Sequence, residues 1–259
     1  MAFNKNELIL DKVRSLAAHD LSTGELLFRL TSLEEPTLTC TAEGEEVTDA
    51  VGAVITTLYR AKKATFGATN SLVSLDLAAA QYGTKKEVAS EENKVVDYAY
   101  EILEIAEGKV KLAKKPIVDS IKFIYSVEDG EIATQYKAGA EATDTEFLVA
   151  EDGTITTPTD LTGKVYVEYQ YEATSAVRIV NRASEFPESV SVVIYAYFRD
   201  KCNDNLMYSG KIICPKAKLN PESVELALTA TGKHAFEFTM MKDYCEETND
   251  QLFTIIVSE

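Results

Sequence analysis

The chain has 259 residues and a mass of 28.5 kDa, enough for one large domain, or one domain with an insertion, built around a sizeable core. Its 42 acidic and 26 basic side chains give a net charge of −16, which argues against nucleic-acid binding by phosphate neutralisation and against binding to an anionic membrane. The hydrophobic content of 46% argues against disorder, and no apolar run is long enough for a transmembrane helix.

The N-terminal region predicts an arm followed by a β-hairpin. Residues 1–12 are interpreted as the arm. Met1–Asp11 is polar and contains no signal-peptide core, so we expect the protein to fold and stay in the cytoplasm or to leave the cell by a route other than secretion. The alternation of Val13, Ser15 and Ala17 predicts a first strand. A turn over residues 20–24 ends in glycine, and the alternating residues of Leu26–Leu30 predict the returning strand.

The following segment predicts strands around an acidic loop. Thr37–Thr41 has the pattern of a short strand, and the acidic stretch Glu43–Asp49 is interpreted as part of a long exposed loop over residues 42–52. Val51–Tyr59 and Lys62–Thr69 predict two further strands, since β-branched and aromatic residues are frequent in both.

One helix is predicted, over residues 70–82. Asn70 or Ser71 can cap its first turn, because a short side-chain oxygen can accept from the unpaired backbone N–H groups there. Leucine and alanine dominate the segment that follows, and Gly83 can end the helix in the left-handed conformation.

The middle of the chain predicts a small inserted β domain. Val95–Ile105 has the composition of a helix, but Tyr98, Tyr100 and Ile102 alternate, and we favour a strand. From Pro116 onward, short strand patterns are separated by Asp-Gly turns. We therefore predict an inserted small β domain over residues 113–174, for which an immunoglobulin-like sandwich is one candidate form, with residues 1–112 and 175–259 forming the main core.

The C-terminal third predicts antiparallel sheet. Ser189–Arg199 is apolar on both faces, which implies either burial on two sides or a contact in an oligomer. Further strand patterns lie at Ala176–Arg182, Met207–Cys214, Glu222–Thr229, His234–Met240 and Leu252–Val257. The predicted fold class is mainly β (α+β), with an antiparallel β-sandwich or barrel core, one flanking helix and the small β insertion.

The chain contains no recognisable catalytic, cofactor or metal motif, so an enzyme is not expected. Its two histidines are His19 and His234, and only His234 has a cysteine, Cys245, near it in sequence. Zinc ligation by His234, Cys245, Cys202 and Cys214 fits no known spacing, and all four cysteines, including Cys40, are interpreted as reduced thiols. The acidic stretch at 43–49 lacks the ligand pattern of a calcium loop.

Three stretches together resemble the major tail (tail tube) proteins of long-tailed bacteriophages. They are the hairpin Val13–Leu30 with its Asp-Leu-Ser-Thr-Gly-Glu turn, the run Lys62–Phe66 leading into the helix Ser71–Tyr82, and the C-terminal segment Ser223–Val257. The resemblance covers about residues 1–112 and 175–259, whereas the block 113–174 departs from it.

The resemblance implies a structural role in the virion tail. Six copies would form a ring, and rings would stack into a hollow conduit through which DNA passes without specific binding. The implied partners are further copies of the chain, the tape measure protein, the tail terminator and the baseplate or tip proteins, with assembly in the host cytoplasm and no role for a membrane. Contacts between rings are predicted at Phe3, Asn4, Leu8, Glu43, Glu45, Glu46 and Asp49.

Two alternatives remain open at this stage. The chain could be another structural protein of the virion, such as a head-decoration protein or a tail terminator, or it could be a cell-surface β-sandwich that binds a ligand. Self-assembly into open-ended hollow cylinders separates the tube subunit from both.

Overall fold

A computed structural model describes residues 7–203, 205–222, 224–226, 232–244 and 250–258. The fold is mainly β with one α-helix in these described ranges, which confirms the predicted fold class. The chain divides into two compact units. Unit 1 comprises residues 1–86 and 179–259, and unit 2 comprises residues 87–178.

The strands are, in chain order, β1 (Leu8–Asp20), β2 (Leu26–Leu30), β3 (Leu33–Thr48), β4 (Val54–Asn70), β5 (Glu87–Val88), β6 (Val95–Glu104), β7 (Lys109–Lys111), β8 (Phe123–Glu128), β9 (Glu131–Ala138), β10 (Glu146–Val149), β11 (Thr154–Thr156), β12 (Lys164–Ala173), β13 (Val177–Arg178), β14 (Ser189–Asp200), β15 (Met207–Leu219), β16 (His234–Met240) and β17 (Thr254–Ser258). Helix α1 spans Leu75–Gln81, and a short 3₁₀ helix spans Val118–Ser120.

Unit 1 is one curled antiparallel sheet. Its strand order is β2-β1-β14-β15-β16-β4-β3, and β17 pairs with β15. The two end strands are consecutive in the chain, since β2 ends at Leu30 and β3 begins at Leu33. The sheet therefore curls into a barrel-like core rather than lying flat.

The core of unit 1 draws on most of its strands and on the helix. Its largest members include Phe28 from β2, Phe66 from β4, Phe238 from β16 and Leu77 from α1. The rings of Phe28 and Phe238 stack at a centroid distance of 6.4 Å. These residues alternate with exposed or half-buried ones along each strand, because successive side chains of a strand point to opposite faces.

The predicted hairpin between β1 and β2 is confirmed, and Asp20 holds its turn. The Asp20 carboxylate accepts hydrogen bonds from the backbone and hydroxyl groups of Ser22 and Thr23 at 2.6–3.2 Å. These bonds favour its charged form and lower the pKa of Asp20 to about 2. The predicted arm is wrong for Leu8–Lys12, which form the first part of β1 and pair with the end of β14; residues 1–6 lie outside the described residues.

Helix α1 begins later than predicted. Ser71 donates to Ser32 and Glu34, and the Asn70 amide donates to Leu72, so neither acts as the N-cap. Ser74 takes that place, accepting from the backbone N–H of Leu77 at 3.2 Å. Gly83 follows the helix with a φ of +68°, in agreement with the predicted end.

The predicted acidic loop at 42–52 is wrong. Strands β3 and β4 continue through it as one hairpin, with Glu43 opposite Arg60 and Glu46 opposite Thr57. Val51–Tyr59 and Lys62–Thr69 are likewise not two strands but belong largely to β4, with an irregularity at Ala61 (φ +50°). The distal parts of β3 and β4 are exposed on both faces, so their sequences lack the apolar alternation that indicates a strand. The acidic residues there therefore led to the prediction of a loop.

Unit 2 is a sheet of order β6-β12-β8-β9-β10-β11-β7, with β5 and β13 forming a separate two-stranded ribbon. All pairs of this sheet are antiparallel except β9 with β10, which run parallel. Its core contains Ile124, Phe147, Ile155, Val165 and Val167, all fully buried. The unit begins earlier than the predicted insertion, because β6 pairs with β12 along its full length.

Several strand predictions differ in detail. The strand preference for Val95–Ile105 is confirmed as β6. From Pro116 onward, where short strands are predicted, the chain first forms the 3₁₀ helix and only then β8 and β9. The strand predicted at Ala176–Arg182 is reduced to β13. Most of the strand predicted at Glu222–Thr229 lies outside the described residues.

Candidate assembly surface

The main feature of unit 1 outside its core is the distal part of the β3–β4 hairpin. We call this segment, residues 41–63, the arm. It is distinct from the N-terminal arm that the sequence predicted for residues 1–12. The buried residues of β4 begin at Ala64, just after the arm, and almost every arm residue is exposed. Ten residues of β4 lie in the arm, which corresponds to a length of about 30 Å at the rise of a strand.

Asp49 organises the tip of the arm. Its carboxylate accepts hydrogen bonds from the backbone N–H groups of Val51 and Ala53 at 2.9 and 2.8 Å. Its own backbone N–H donates to the carbonyl of Ala53, and Gly52 completes the turn with a φ of +86°. Asp49, predicted as a contact residue, therefore has a structural role at the turn.

The arm combines carboxylates with exposed apolar side chains. Glu45 pairs with Arg60 at 3.4 Å, while Glu46 has no ion pair within the described ranges. Val51, Ile55 and Tyr59 are 90%, 66% and 75% exposed. A two-stranded hairpin that buries so little is marginally stable by itself, so this composition is typical of a segment that packs against another molecule.

The remaining predicted contact residues lie elsewhere. Leu8 opens β1 and faces Asp200 of β14, so it lies far along the chain from the arm and in a different strand pair. Glu43, Glu45 and Glu46 lie together on β3. Phe3 and Asn4 lie outside the described residues.

The outer face of β14 is half-buried. Its inner residues Val190, Val192 and Ile194 are in the core, as the alternation predicts. Val193, Tyr195 and Tyr197 on the opposite face remain partly exposed in the single chain. Of the two readings of this doubly apolar strand, burial on both sides within the chain is therefore wrong.

The buried histidine His234 links helix α1 to strand β16. His234 is buried and its Nε2 lies 2.6 Å from the Oε1 of Gln81, whose amide donates to the carbonyl of Ala235. Burial lowers the pKa of His234, because a charged ring would lose its hydration there. The arrangement ties helix α1 to strand β16, and no nucleophile is bonded to either ring within the described part of the chain.

The described cysteines and acidic residues do not form a metal centre. Cys40 and Cys202 are exposed thiols and Cys214 is a buried one, while Cys245 lies outside the described residues. No cluster of three or more metal-ligating side chains exists among the residues that the structure describes. Within the same ranges, no helix has the length and apolar character that a membrane span requires.

Unit 2 has an aromatic surface of its own. Tyr98 and Tyr100 of β6 are 75% and 69% exposed, and the Tyr166 ring of β12 lies 5.9 Å from that of Tyr100. Tyr125 of β8 continues the row at 6.3 Å from Tyr166. The Tyr166 hydroxyl donates to Glu168, and this bond raises the pKa of Tyr166 to about 12. We call these four residues the tyrosine row.

One protein family matches nearly the full length of the chain. The model of the YomU/Tube protein family matches residues 8–255, which include both units. The chain belongs to the YomU/Tube protein family. No curated protein matches it. Membership supports the coarse interpretation drawn from the sequence, a phage tube-like protein of the virion tail.

The sequence of this YomU/Tube family member contained a signal for the hairpin of the arm, although the prediction for that segment was a loop. Val54–Tyr59 is rich in β-branched residues, and Asp49 and Gly52 flank a tight turn, which together indicate a hairpin. The alternation of Tyr98 and Tyr100 indicated a strand, but it did not indicate that these two side chains are exposed. Only the three-dimensional pairing shows that Tyr125 and Tyr166 join them.

Proposed function

We propose that this protein is the structural subunit of a phage tail tube. Copies assemble into rings, with six as the expected number, and the rings stack into a hollow conduit for the genome. The protein acts without catalysis and without a cofactor. Membership in the YomU/Tube family supports the tube, while ring number and stacking are inferred from the resemblance of the sequence to major tail proteins of long-tailed phages.

The exposed arm is the observation that carries this proposal. An extension of about 30 Å that leaves Val51, Ile55 and Tyr59 in water has little to stabilise it within one chain. Insertion between neighbouring copies would bury these side chains and pair their backbone groups. The arm therefore takes the role that we predicted for Glu43, Glu45, Glu46 and Asp49, a contact between successive rings.

The charge of the chain suits a conduit for DNA. At −16 per copy, six copies place a large negative charge on each ring. A wall of the same sign as the phosphates would form few counterion-releasing contacts, so the genome would pass without specific binding. The interface between neighbours within a ring and the interface between stacked rings are both heterologous. The first closes into a ring, and the second permits an open-ended polymer.

The proposed partners follow from this role. Further copies of the chain form the tube, the tape measure protein sets its length, and the tail terminator and the baseplate or tip proteins close its two ends. Assembly takes place in the host cytoplasm, and the finished protein is part of the virion tail.

Shortening the arm tests the proposal. Thr41 and Lys63 face each other across the hairpin, so residues 42–62 can be replaced by a two-residue Asn-Gly turn without disturbing the core. We expect this variant to fold, with a thermal midpoint close to that of the wild type, and to remain a monomer by light scattering. Hollow tubes formed by the shortened protein as readily as by the wild type would contradict the proposed role of the arm.

The tyrosine row supports a second candidate function, that of a ligand-binding surface module. Exposed aromatic rings in contact offer flat apolar faces beside the polar groups of Glu168 and Gln170, a combination suited to saccharides. Binding of the full chain to purified cell-wall polysaccharide would support it if lost on Tyr98→Ala with Tyr100→Ala. Tyr244→Ala, which removes a comparably exposed tyrosine of unit 1, is the matched control. Absence of binding by the wild type would exclude this candidate.

A further inference from the structure

A groove of about 290 Å³ lies on the outer face of the unit 1 sheet, where β2, β1 and β14 adjoin. We call it the arginine groove. The residues that line it are Arg14, Ser15, Ala17, His19, Leu26, Arg29 and Tyr195. It lies outside the arm.

The strand pattern explains its shape. Leu16 and Ala18 enter the core, so Ser15 and Ala17 face outward and supply short side chains between long ones. Arg29 stands opposite Ala17, and Tyr195 opposite Ser15.

A bulge in β1 fixes the second arginine. The register shifts between Val13 and Ser15, and Arg14 lies beside Tyr197, donating to its hydroxyl at 2.9 Å. The guanidinium of Arg14 is also 5.7 Å from the Tyr197 ring centroid, a cation–π contact.

The charge of this groove is unusual for the chain. Four of the six arginines, Arg60, Arg178, Arg182 and Arg199, form ion pairs with carboxylates. The other two, Arg14 and Arg29, have no carboxylate partner among the described residues, and both line the groove. In a chain whose acidic side chains outnumber its basic ones by 42 to 26, two neighbouring unpaired arginines leave a site for a carboxylate from outside.

The arm carries a face of matching character. Gly44 is opposite Tyr59 and Glu46 is opposite Thr57, so Glu46, Tyr59 and Ile55 share one face of the arm. A side chain on Gly44 would contact Tyr59 and Thr57, which confirms that these two lie on that face. Glu46 has no ion pair within the described ranges, and it is flanked by exposed apolar side chains.

We propose that the arginine groove receives the arm of a second copy of this chain. Glu46 would pair with Arg29 and Arg14, while Ile55 and Tyr59 would cover the apolar walls that Leu26 and Tyr195 provide. The inference rests on the proposed tube function and adds to it the surface that the arm contacts. The chain's own arm does not fill the groove, because no arm carboxylate contacts either arginine.

A charge exchange tests the contact. Arg29→Glu and Glu46→Arg should each slow assembly of the full chain by about tenfold or more, measured by light scattering, because like charges would then meet. The double variant Arg29→Glu/Glu46→Arg restores the opposite charges and should assemble within about threefold of the wild-type rate. Glu131→Arg, which makes the same charge change as Glu46→Arg at an exposed position of unit 2, should leave the rate unchanged. Circular dichroism and thermal midpoints verify folding of every variant.

The outcomes separate this contact from the proposed function. If the wild type assembles and the single variants assemble equally well, the groove contact is wrong and the tube proposal stands. If Arg29→Glu blocks assembly and Glu46→Arg fails to restore it, Glu46 is not the partner of the arginine groove, and the contact is again overturned. If the wild type forms no assembly at any concentration, the tube proposal and the contact fall together.

Discussion

His234 and Gln81 form a buried polar pair between strand β16 and helix α1. The imidazole cannot be hydrated there, so burial lowers the pKa of His234 from its ordinary value of 6.5. Above that value both folded and unfolded chains carry a neutral ring. Below it the unfolded chain binds a proton more readily than the folded one, so the free energy of unfolding falls as the pH falls.

This sign gives a testable pH dependence. We expect the free energy of unfolding of the wild type to decrease from pH 7.5 to pH 5.5 by more than that of His234→Gln, whose amide can still bond to Gln81 without titrating. Urea denaturation at the two pH values measures the difference. Equal decreases in both proteins would show that His234 does not contribute.

Gly83 occupies a position at which no other residue would fit without strain. Its φ is +68°, and a Cβ atom there would lie 2.2 Å from the carbonyl oxygen of Phe186. We expect Gly83→Ala to destabilise unit 1 by about 3 kcal/mol or more through strain and displacement of backbone. Gly24 has a φ of +72° with open space around it, so Gly24→Ala isolates the strain alone, expected at about 1 kcal/mol. Thermal unfolding compares the two, and equal losses would contradict the steric argument.

The cysteines should differ sharply in reactivity. Cys214 lies in the core of unit 1, where burial raises the pKa of its thiol to about 11, whereas Cys40 and Cys202 are exposed. In a Cys245→Ser background at pH 8, we expect a thiol reagent to modify Cys40 and Cys202 in the native protein and Cys214 only after denaturation. Peptide mass spectrometry identifies the modified sites. Rapid labelling of native Cys214 would show that the core is open on the timescale of the reaction.

At the scale of elements, the sequence predicted those strands that have one face in a core. The alternation of β1, β2, β14 and β16 is visible because apolar residues recur at every second position. The arm lacks that signal, because both of its faces are exposed, and its acidic residues led to the prediction of a loop. Helix α1 was found from its composition and its terminal glycine, but its cap depended on tertiary hydrogen bonds that Ser71 makes to Ser32 and Glu34.

At the scale of the whole molecule, pairing between distant segments determined what the sequence alone could not. Strand β1 pairs with β14, nearly two hundred residues later, and β6 pairs with β12, so the second unit begins at Glu87 rather than at residue 113. The arginine groove depends on the same long-range pairing, since its residues come from β1, β2 and β14. A local pattern predicts the strands themselves, but not which strands adjoin.

We propose that copies of this chain build a hollow tube through their arms. The most direct measurement is electron cryomicroscopy of the purified full chain after assembly at high concentration, with helical reconstruction. We predict stacked rings of uniform diameter around an open channel, with each arm buried against a neighbouring ring. Assemblies without a channel, arms exposed to solvent within the assembly, or a protein that stays monomeric at every concentration would contradict the claim.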